Sequence, residues 1–432
     1  MNKKITIIGG GLAGCESAFF LAENGYKVKL YEMRPVQTTP AHETSCLGEL
    51  VCSNSLKSTA EDTSSGLLKQ EMKLIGSIIL KIAEENSVPA GNALAVDREA
   101  FATALDSTIR NHPNIEVITE EITDIPSDRP CIVATGPLTS DALAEKIKQR
   151  FGGGLYFFDA IAPVVSFDSV DMNKAFFKSR WEKGDNDYLN LGMTQEEYEL
   201  FYNELMASEK VEFENFEKLN VYEGCMPIEE MAARGIKTLT YGPFRPVGLR
   251  HPVTEQKYAA VLQMRKEDKD GTAYNLVGCQ TKMRIPEQKR VFRLIPGLEN
   301  AEFLRYGSIH RNTYIHAPGY LKRTFQVIDD GQLWFAGQVT GVEGYVESAA
   351  SGLLAAYSVT HPDFEGFPED TALGALGRHV SGEVAANKKD YVPSNFHFGM
   401  LPPFAEKERD KKLKKARYAI RALESLKKFL NI

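Results

Sequence analysis

Residues 4–34, KITIIGGGLAGCESAFFLAENGYKVKLYEMR, constrain the fold more than any other part of the chain. The β-branched run from Ile5 to Ile8 meets Gly9, Gly11 and Gly14 in G-x-G-x-x-G spacing. Ala18, Leu21 and Ala22 then fall on one face of a helix, and KVKLYE forms a second strand ending in Glu32, eighteen residues past Gly14. Each position has a physical task. Gly9 permits a tight turn, Gly11 lets the backbone approach a pyrophosphate, and Gly14 lets the helix pack against the strand. Gly10, Leu12 and Ala13 complete the loop, the helix N-terminus faces the phosphate charge, and Glu32 accepts from ribose hydroxyls. Strand, glycines, helix, strand and acid in one register specify an α/β, Rossmann-like dinucleotide-binding unit.

Two later stretches favour FAD over NAD. CIVATG (131–136) is an apolar strand running into Thr135 and Gly136, a pattern common where flavoprotein chains cross near the cofactor. QLWFAGQVTGVEGYVESAASGLLAA (332–356) is a strand, a turn holding Gly337, Gln338, Gly341 and Gly344, and a small-residue helix beginning near Tyr345. Such a helix presents its N-terminus to a flavin ring or a pyrophosphate. The cofactor domain is therefore expected to be discontinuous, 1–165 and 310–432, with a mixed α+β module inserted at 166–309. In that module Thr194 and Glu197 form a capping box ahead of Tyr198, Phe201 and Leu205 on one helical face. KYAAVLQMRKEDKDGTAYNLVGCQ (257–280) predicts two strands joined by a charged turn ending in Gly271.

No apolar run approaches the length of a membrane span. The opening MNKKITIIGGG has its apolar run broken by glycines and no A-x-A site after it, so it is expected to be a first strand rather than a signal peptide. The six cysteines, 15, 46, 52, 131, 225 and 279, include no C-x-x-C pair. That argues against a disulfide framework and a metal site and suits a cytoplasmic protein. The net charge of −7 does not by itself suggest a nucleic acid, DNA included. Residues 406–428, however, hold ten Lys or Arg against four Asp or Glu, either a solvated helix face or an RNA contact.

A reactive cysteine needs partial exposure and donor-rich or positive surroundings. Cys15, Cys131 and Cys279 lie in apolar elements and are expected to pack; Cys46 is ambiguous. Cys52 sits in LVCSNSLKS, expected to lead into the helix containing Leu67, Leu68, Met72 and Ile75. Cys225 sits in YEGCMPIEEMA, ahead of a helix starting at or just after Pro227, where the helix dipole lowers a thiol pKa. Five residues separate Cys46 from Cys52, against the C-x4-C of disulfide reductases.

Taken together, ELVCSNSLKS, SVPAGNALAVDR, GCMPIEEMA, GPFRPVGL, QTKMRIPEQKRVFRLIPGLENAEFLRYGSIHRNTYI, GQVTGVEGYVESAASGL and NFHFGMLPP resemble the folate- and FAD-dependent tRNA uracil-5-methyltransferases, the TrmFO family. The resemblance runs through nearly the whole chain and implies a GidA-like flavoprotein fold. It implies transfer of a one-carbon unit from methylenetetrahydrofolate to carbon 5 of the T-loop uridine of tRNA, with FAD and NAD(P)H supplying electrons. Carbon 5 is a poor nucleophile until a thiolate adds at carbon 6, so a cysteine nucleophile is expected. By resemblance Cys225 matches that nucleophile, and Cys52 a second functional cysteine near the flavin whose role stays open.

Lys282, Arg284, Lys289 and Arg290, with His310 and Arg311, then become candidates for phosphates or the folate glutamyl tail. Lys411, Lys412 and Lys415 become candidate RNA contacts; for all of them the alternative is ordinary surface charge. His397 and Phe244 depart from the family pattern, where Asn and Met are expected. Two further readings remain: the same chemistry on a ribosomal RNA uridine, and an RNA-binding flavoprotein without methyl transfer. A wobble-uridine modifier of the related flavoprotein family would need a longer C-terminal helical region.

Overall fold

The computed structural model describes residues 3–39, 41–152, 154–180, 186–211, 226–384, 391–406 and 408–432, and for 154–159 and 310–311 the backbone alone. The first strand, Lys4–Ile8, is the chain's most apolar start and becomes an inner strand of a six-stranded sheet. The order is Gln326–Val327, Asp330–Phe335, Cys131–Val133, Lys4–Ile8, Lys27–Glu32, Ile115–Thr119. All neighbours are parallel except the first pair, with Ile7 opposite both Leu30 and Ile132. Helices Leu12–Glu23 and Tyr345–Thr360 pack closely over this sheet. A Cβ on Gly352 would lie 2.2 Å from the Ala13 carbonyl oxygen, so the small residues expected of the second helix are what permit the contact.

A second six-stranded sheet is antiparallel throughout: Ala175–Phe177, Tyr188–Met193, Ala260–Lys266, Ala273–Leu276, Val164–Ser166, Phe303–Arg305. Helix Gln195–Ala207 carries the expected capping box and buries Tyr198, Phe201 and Leu205. Gly271, at φ 70°, closes the hairpin between two of these strands. Phe244 is fully buried, its ring 5.5 Å from that of Phe201, so its role here is packing. Strands Gly154–Ala160 and Ile309–Ile315 pair as a ribbon at the points where the chain enters and leaves this sheet.

Cys52 does not run directly into a helix. Strand Ser55–Ser58 intervenes, paired with Ala93–Val96, and the helix begins only at Ser64, capped by Thr63, whose Oγ1 accepts from Gly66 N. The polar NSLKS stretch satisfies its backbone in a sheet before any apolar period starts. The basic helix Lys411–Leu430 is capped by Asp410 and buries Tyr418, Ala419, Ala422 and Leu426.

Two buried carboxylates close helix N-termini across this core. Glu16 accepts from Ser77 Oγ and the N–H groups of Ile78 and Ile79; Glu71 accepts from Ala372 N at 2.7 Å and Leu373 N at 2.9 Å. Burial outweighs these bonds and raises the two groups, Glu16 to about 7 and Glu71 to about 8. A raised acid binds its proton more tightly folded than unfolded. Its contribution is therefore fully present below the unfolded value near 4.5 and is lost as pH rises through 7 to 8. Glu71→Gln is expected to flatten the fall in melting temperature between about pH 5 and 8, since each pKa unit is worth about 1.4 kcal/mol. Melting curves of equal pH slope in wild type and variant would refute this.

Candidate functional site

A cleft opens at the carboxyl ends of the parallel strands, where open α/β sheets bind ligands. Gly9, Gly11, Leu12 and Ala13 line one wall, with Glu32, Thr135, Gly136, Gly337, Gln338 and Tyr345 around it. Gly9 sits at φ 100°, and a Cβ there would meet the Ala134 carbonyl oxygen at 2.6 Å. At Gly11 a Cβ would meet nothing within 4 Å, because that side of the backbone faces open space. Gly11 caps helix Leu12–Glu23 with no side-chain bond, and Gly344 does the same for helix Tyr345–Thr360.

Four expected contributors stand behind the cleft wall. The Gly10 N–H donates to Glu32 Oε2 at 2.8 Å, and Gly14 packs against the Gly9 carbonyl. Gly341 turns the chain at φ 85° against Tyr391, and Gly344 lies beneath Lys57, Glu347 and Asn395. Lys57, itself at φ 63°, places its ammonium 3.2 Å from both Glu347 carboxylate oxygens and against Asn395 Oδ1.

Glu32 is held by more than the glycine loop. Its Oε1 accepts from Arg34 N at 3.1 Å and Arg34 Nε at 2.8 Å, while Arg34 also reaches Glu49 Oε2 at 3.2 Å. Burial pushes the Glu32 carboxyl up, but Arg34 and the Gly10 N–H pull it net below the usual carboxylate value. It is therefore an anion presented to the cleft. Arg34 carried no signal in the glycine fingerprint; only its place two residues after the strand-ending acid hinted at it.

The Cys52 loop touches both helix Tyr345–Thr360 and the antiparallel sheet. Tyr345 Oη accepts from Cys52 N at 2.8 Å and Ser53 N at 3.2 Å, and lies 3.0 Å from Cys52 Sγ. Two donors occupy the oxygen's lone pairs, so the phenol's own proton is left to donate to the sulfur. Burial, then the neighbouring Cys52, holds the Tyr345 phenol well above its ordinary value, so that proton stays in place. On the opposite side Arg265, from the antiparallel sheet, donates to Asn54 Oδ1 at 2.9 Å and Ser53 Oγ at 3.0 Å. Arg98 joins Leu50 O to Glu267, whose other oxygen is buried without a hydrogen-bond partner among the described residues. SVPAGNALAVDR, which ends in Arg98, was the signal for this brace.

Cys15, Cys131 and Cys279 are fully buried, and burial raises all three thiols, Cys131 to about 12. Cys225 lies outside the described residues. The chain just after it is anchored: Ile228 N donates to Gln280 O at 2.7 Å, and helix Ile228–Ala233 begins behind Pro227. Lys282 is paired with Glu230, and Arg290 with Glu204 and Glu287. Arg284 lies 3.9 Å from Glu209, and Lys289 lies over the Tyr306 ring. His310 and Arg311 sit on the ribbon strand opposite 158–159, with their side chains outside the described residues. Lys411, Lys412 and Lys415 are exposed in the first turns of the terminal helix.

The family model described as "Glucose inhibited division protein A" matches residues 4–362. The protein named methylenetetrahydrofolate--tRNA-(uracil-5-)-methyltransferase TrmFO from Natranaerobius thermophilus is 52% identical over 433 residues, 99% of this chain and 99% of that one. The chain belongs to the TrmFO family. The TrmFO protein of Bacillus subtilis is 50% identical over 99% of this chain and 98% of its own. The structure of Aquifex aeolicus GidA in its form I crystal superposes with a TM-score of 0.69 at 15% identity, covering 99% of this chain and 76% of that one. At that identity the likeness establishes a shared fold. TrmFO proteins are FAD-dependent flavoproteins, and the cleft fits the cofactor. Open space over Gly11, two helix N-termini without side-chain caps and an ionised Glu32 suit a pyrophosphate and a ribose.

Proposed function

We propose that this chain transfers the one-carbon unit of methylenetetrahydrofolate to carbon 5 of the tRNA T-loop uridine, with Cys225 as nucleophile and Cys52 acting at the cofactor side. Membership of the TrmFO family supports the reaction class. The observation that carries the residue-level reading is the Cys52 loop, bonded to Tyr345 at the cofactor cleft and to Arg265 on the antiparallel sheet. One loop thereby couples the flavin domain, 1–165 and 310–432, to an insertion at 166–309 that bears Cys225.

In this reading the Cys225 thiolate adds to carbon 6 of uracil, making carbon 5 nucleophilic. Carbon 5 bonds to the folate-derived carbon, loses its proton, and elimination of the thiol restores the ring. Turning the methylene into a methyl takes two electrons, which FAD reduced by NAD(P)H supplies when bound. Leu12 and Ala13 N–H groups would hold the pyrophosphate and Glu32 the ribose, while Tyr345 keeps a proton directed at the Cys52 sulfur. No described helix is long and apolar enough to cross a membrane, and a cytoplasmic location suits an enzyme acting on tRNA.

The deciding experiment supplies the FAD-loaded protein with labelled methylenetetrahydrofolate, NADPH and purified tRNA or ribosomal RNA. Label is expected in a single tRNA nucleotide, a uridine heavier by one methyl. Label confined to ribosomal RNA would move the target, and label in neither RNA would refute the methyltransferase reading.

A further inference from the structure

Of the basic residues that stand out in the sequence between 282 and 290, two are spent on close partners, Lys282 on Glu230 and Arg290 on Glu204 and Glu287. A different segment of the same sheet's surroundings keeps its charge. Between 234 and 257 there is a single acidic residue, Glu255. Arg234, Lys237, Arg245 and Lys257 are exposed and form no ion pair among the described residues. Among the described residues Arg250 pairs only with Glu255, at 3.9 Å, with both side chains more than half exposed. Arg180 adds a further cation from below, donating to the carbonyls of Arg245 and Val247 at 2.7 Å. Burial, then the nearby Arg245, lowers its pKa. In a chain of net charge −7, such a cluster is not a reflection of overall basicity.

The same segment leaves an aromatic ring in water. Tyr241, the last residue of helix Thr238–Tyr241, is 80% exposed. The turns around it are not slack. Phe244 N donates to Leu239 O, Val261 N donates to Phe244 O, and Tyr198 Oη donates to Ile236 O. A fixed backbone displaying an open ring among cations is the arrangement that receives unpaired bases and phosphates together.

Its position relates it to both cysteine segments. Helix Ile228–Ala233 leads from the residues just after position 225 to Arg234. Arg180 also donates to Gln263 Oε1 at 2.9 Å. Two residues further on the same strand face, Arg265 holds Ser53 and Asn54 beside Cys52. The cluster spans several turns, a footprint suited to a polymer of phosphates rather than to one small anion.

We propose that Arg180, Arg234, Lys237, Arg245, Arg250 and Lys257 form the surface on which the insertion receives the phosphodiester backbone of a folded RNA, with Tyr241 stacking on an unpaired base. This rests on the tRNA-modifying function proposed above and names the part of the chain that holds the substrate.

The test measures binding of an unmodified tRNA transcript to the FAD-loaded full chain by fluorescence anisotropy across a salt series. Combining Arg234→Ala, Lys237→Ala, Arg245→Ala and Lys257→Ala is expected to weaken binding at least about tenfold. The slope of log affinity against log salt should fall by about 3, since each lost phosphate contact removes roughly 0.7–0.9. Tyr241→Ala is expected to weaken binding about tenfold at an unchanged slope, with Tyr241→Phe restoring it. The flavin absorption spectrum, NADPH-driven flavin reduction and melting temperature should match wild type in every variant. A control combining Lys411→Ala, Lys412→Ala and Lys415→Ala is expected to stay within about twofold of wild type. A quadruple variant with wild-type affinity and slope would overturn the proposal, as would a loss carried by the terminal-helix control instead. Wild-type protein that binds no tRNA would overturn the functional reading itself, a result distinguishable from either.

Discussion

Cys225→Ala protein is expected to keep its flavin and to oxidise NAD(P)H at the wild-type rate while transferring no carbon to RNA. The flavin cleft is built from residues 8–51, 120–143 and 337–348, so removing a thiol at 225 leaves that half of the chemistry untouched. What it removes is the only route in this scheme to a nucleophilic carbon 5, and loss of a covalent nucleophile costs on the order of 10⁴-fold or more. A second readout separates the nucleophile from later steps. RNA tritiated at carbon 5 of uridine should release tritium with wild type and none above background with Cys225→Ala, because that hydrogen becomes labile only through the carbon 6 adduct. Cys52→Ala, by contrast, should leave the adduct chemistry possible but alter the cleft, since the sulfur is bonded to Tyr345 at the start of helix Tyr345–Thr360. If Cys52→Ala abolished tritium release and Cys225→Ala did not, the two roles would have to be exchanged.

What the sequence discloses about this site depends on how local each requirement is. The glycine fingerprint is legible because the turn, the close approach and the helix contact all fall within six residues, Gly9 to Gly14, and the structure shows each steric reason separately. The capping box at Thr194 and the hairpin at Gly271 are legible on the same ground, since each is settled by neighbours in the chain. Arg265 is not. Its partners Ser53 and Asn54 lie more than 200 residues away, and nothing in the strand Ala260–Lys266 announces them. Charge is the least legible property of all. Arg290 and Arg245 look alike in the sequence, but Arg290 meets Glu204 from a helix 86 residues earlier while Arg245 meets no carboxylate among the described residues. Pairing is a tertiary fact, so density in the sequence does not tell Lys282 and Arg290, which are engaged by carboxylates, from Lys411, Lys412 and Lys415, which stay exposed. The helix holding Leu67, Leu68, Met72 and Ile75 follows the Cys52 loop as expected, but the strand between them was missed for a related reason: Ser55–Ser58 finds its partner in Ala93–Val96, roughly forty residues on.

Glu32→Ala is expected to yield a protein purified largely without flavin and with a markedly lower melting temperature. Two losses combine. Arg34 is 2% exposed and keeps only Glu49 and the Thr44 carbonyl once the 2.8 Å bond to Glu32 is gone. Stripping one partner from a buried ion pair costs about 3–5 kcal/mol, and Glu49 should hold the figure near the lower end. The Gly10 N–H loses its acceptor at the same time, loosening the loop whose neighbours face the cleft. Glu32→Gln separates the two effects, because the amide keeps an acceptor for Gly10 but no charge for Arg34. It should fold more stably than Glu32→Ala and still bind flavin weakly. The pH dependence follows in sign from the lowered carboxyl. A depressed acid contributes above its unfolded value, near 4.5, and that contribution is lost as pH falls through the folded value. Flavin release followed by fluorescence should therefore rise in wild type on acidification below about pH 4.5, and Glu32→Gln should lack that acid limb. Glu32→Ala protein that retains a full complement of flavin and melts with wild type would show that the acid at the end of the second strand is not what holds the cofactor.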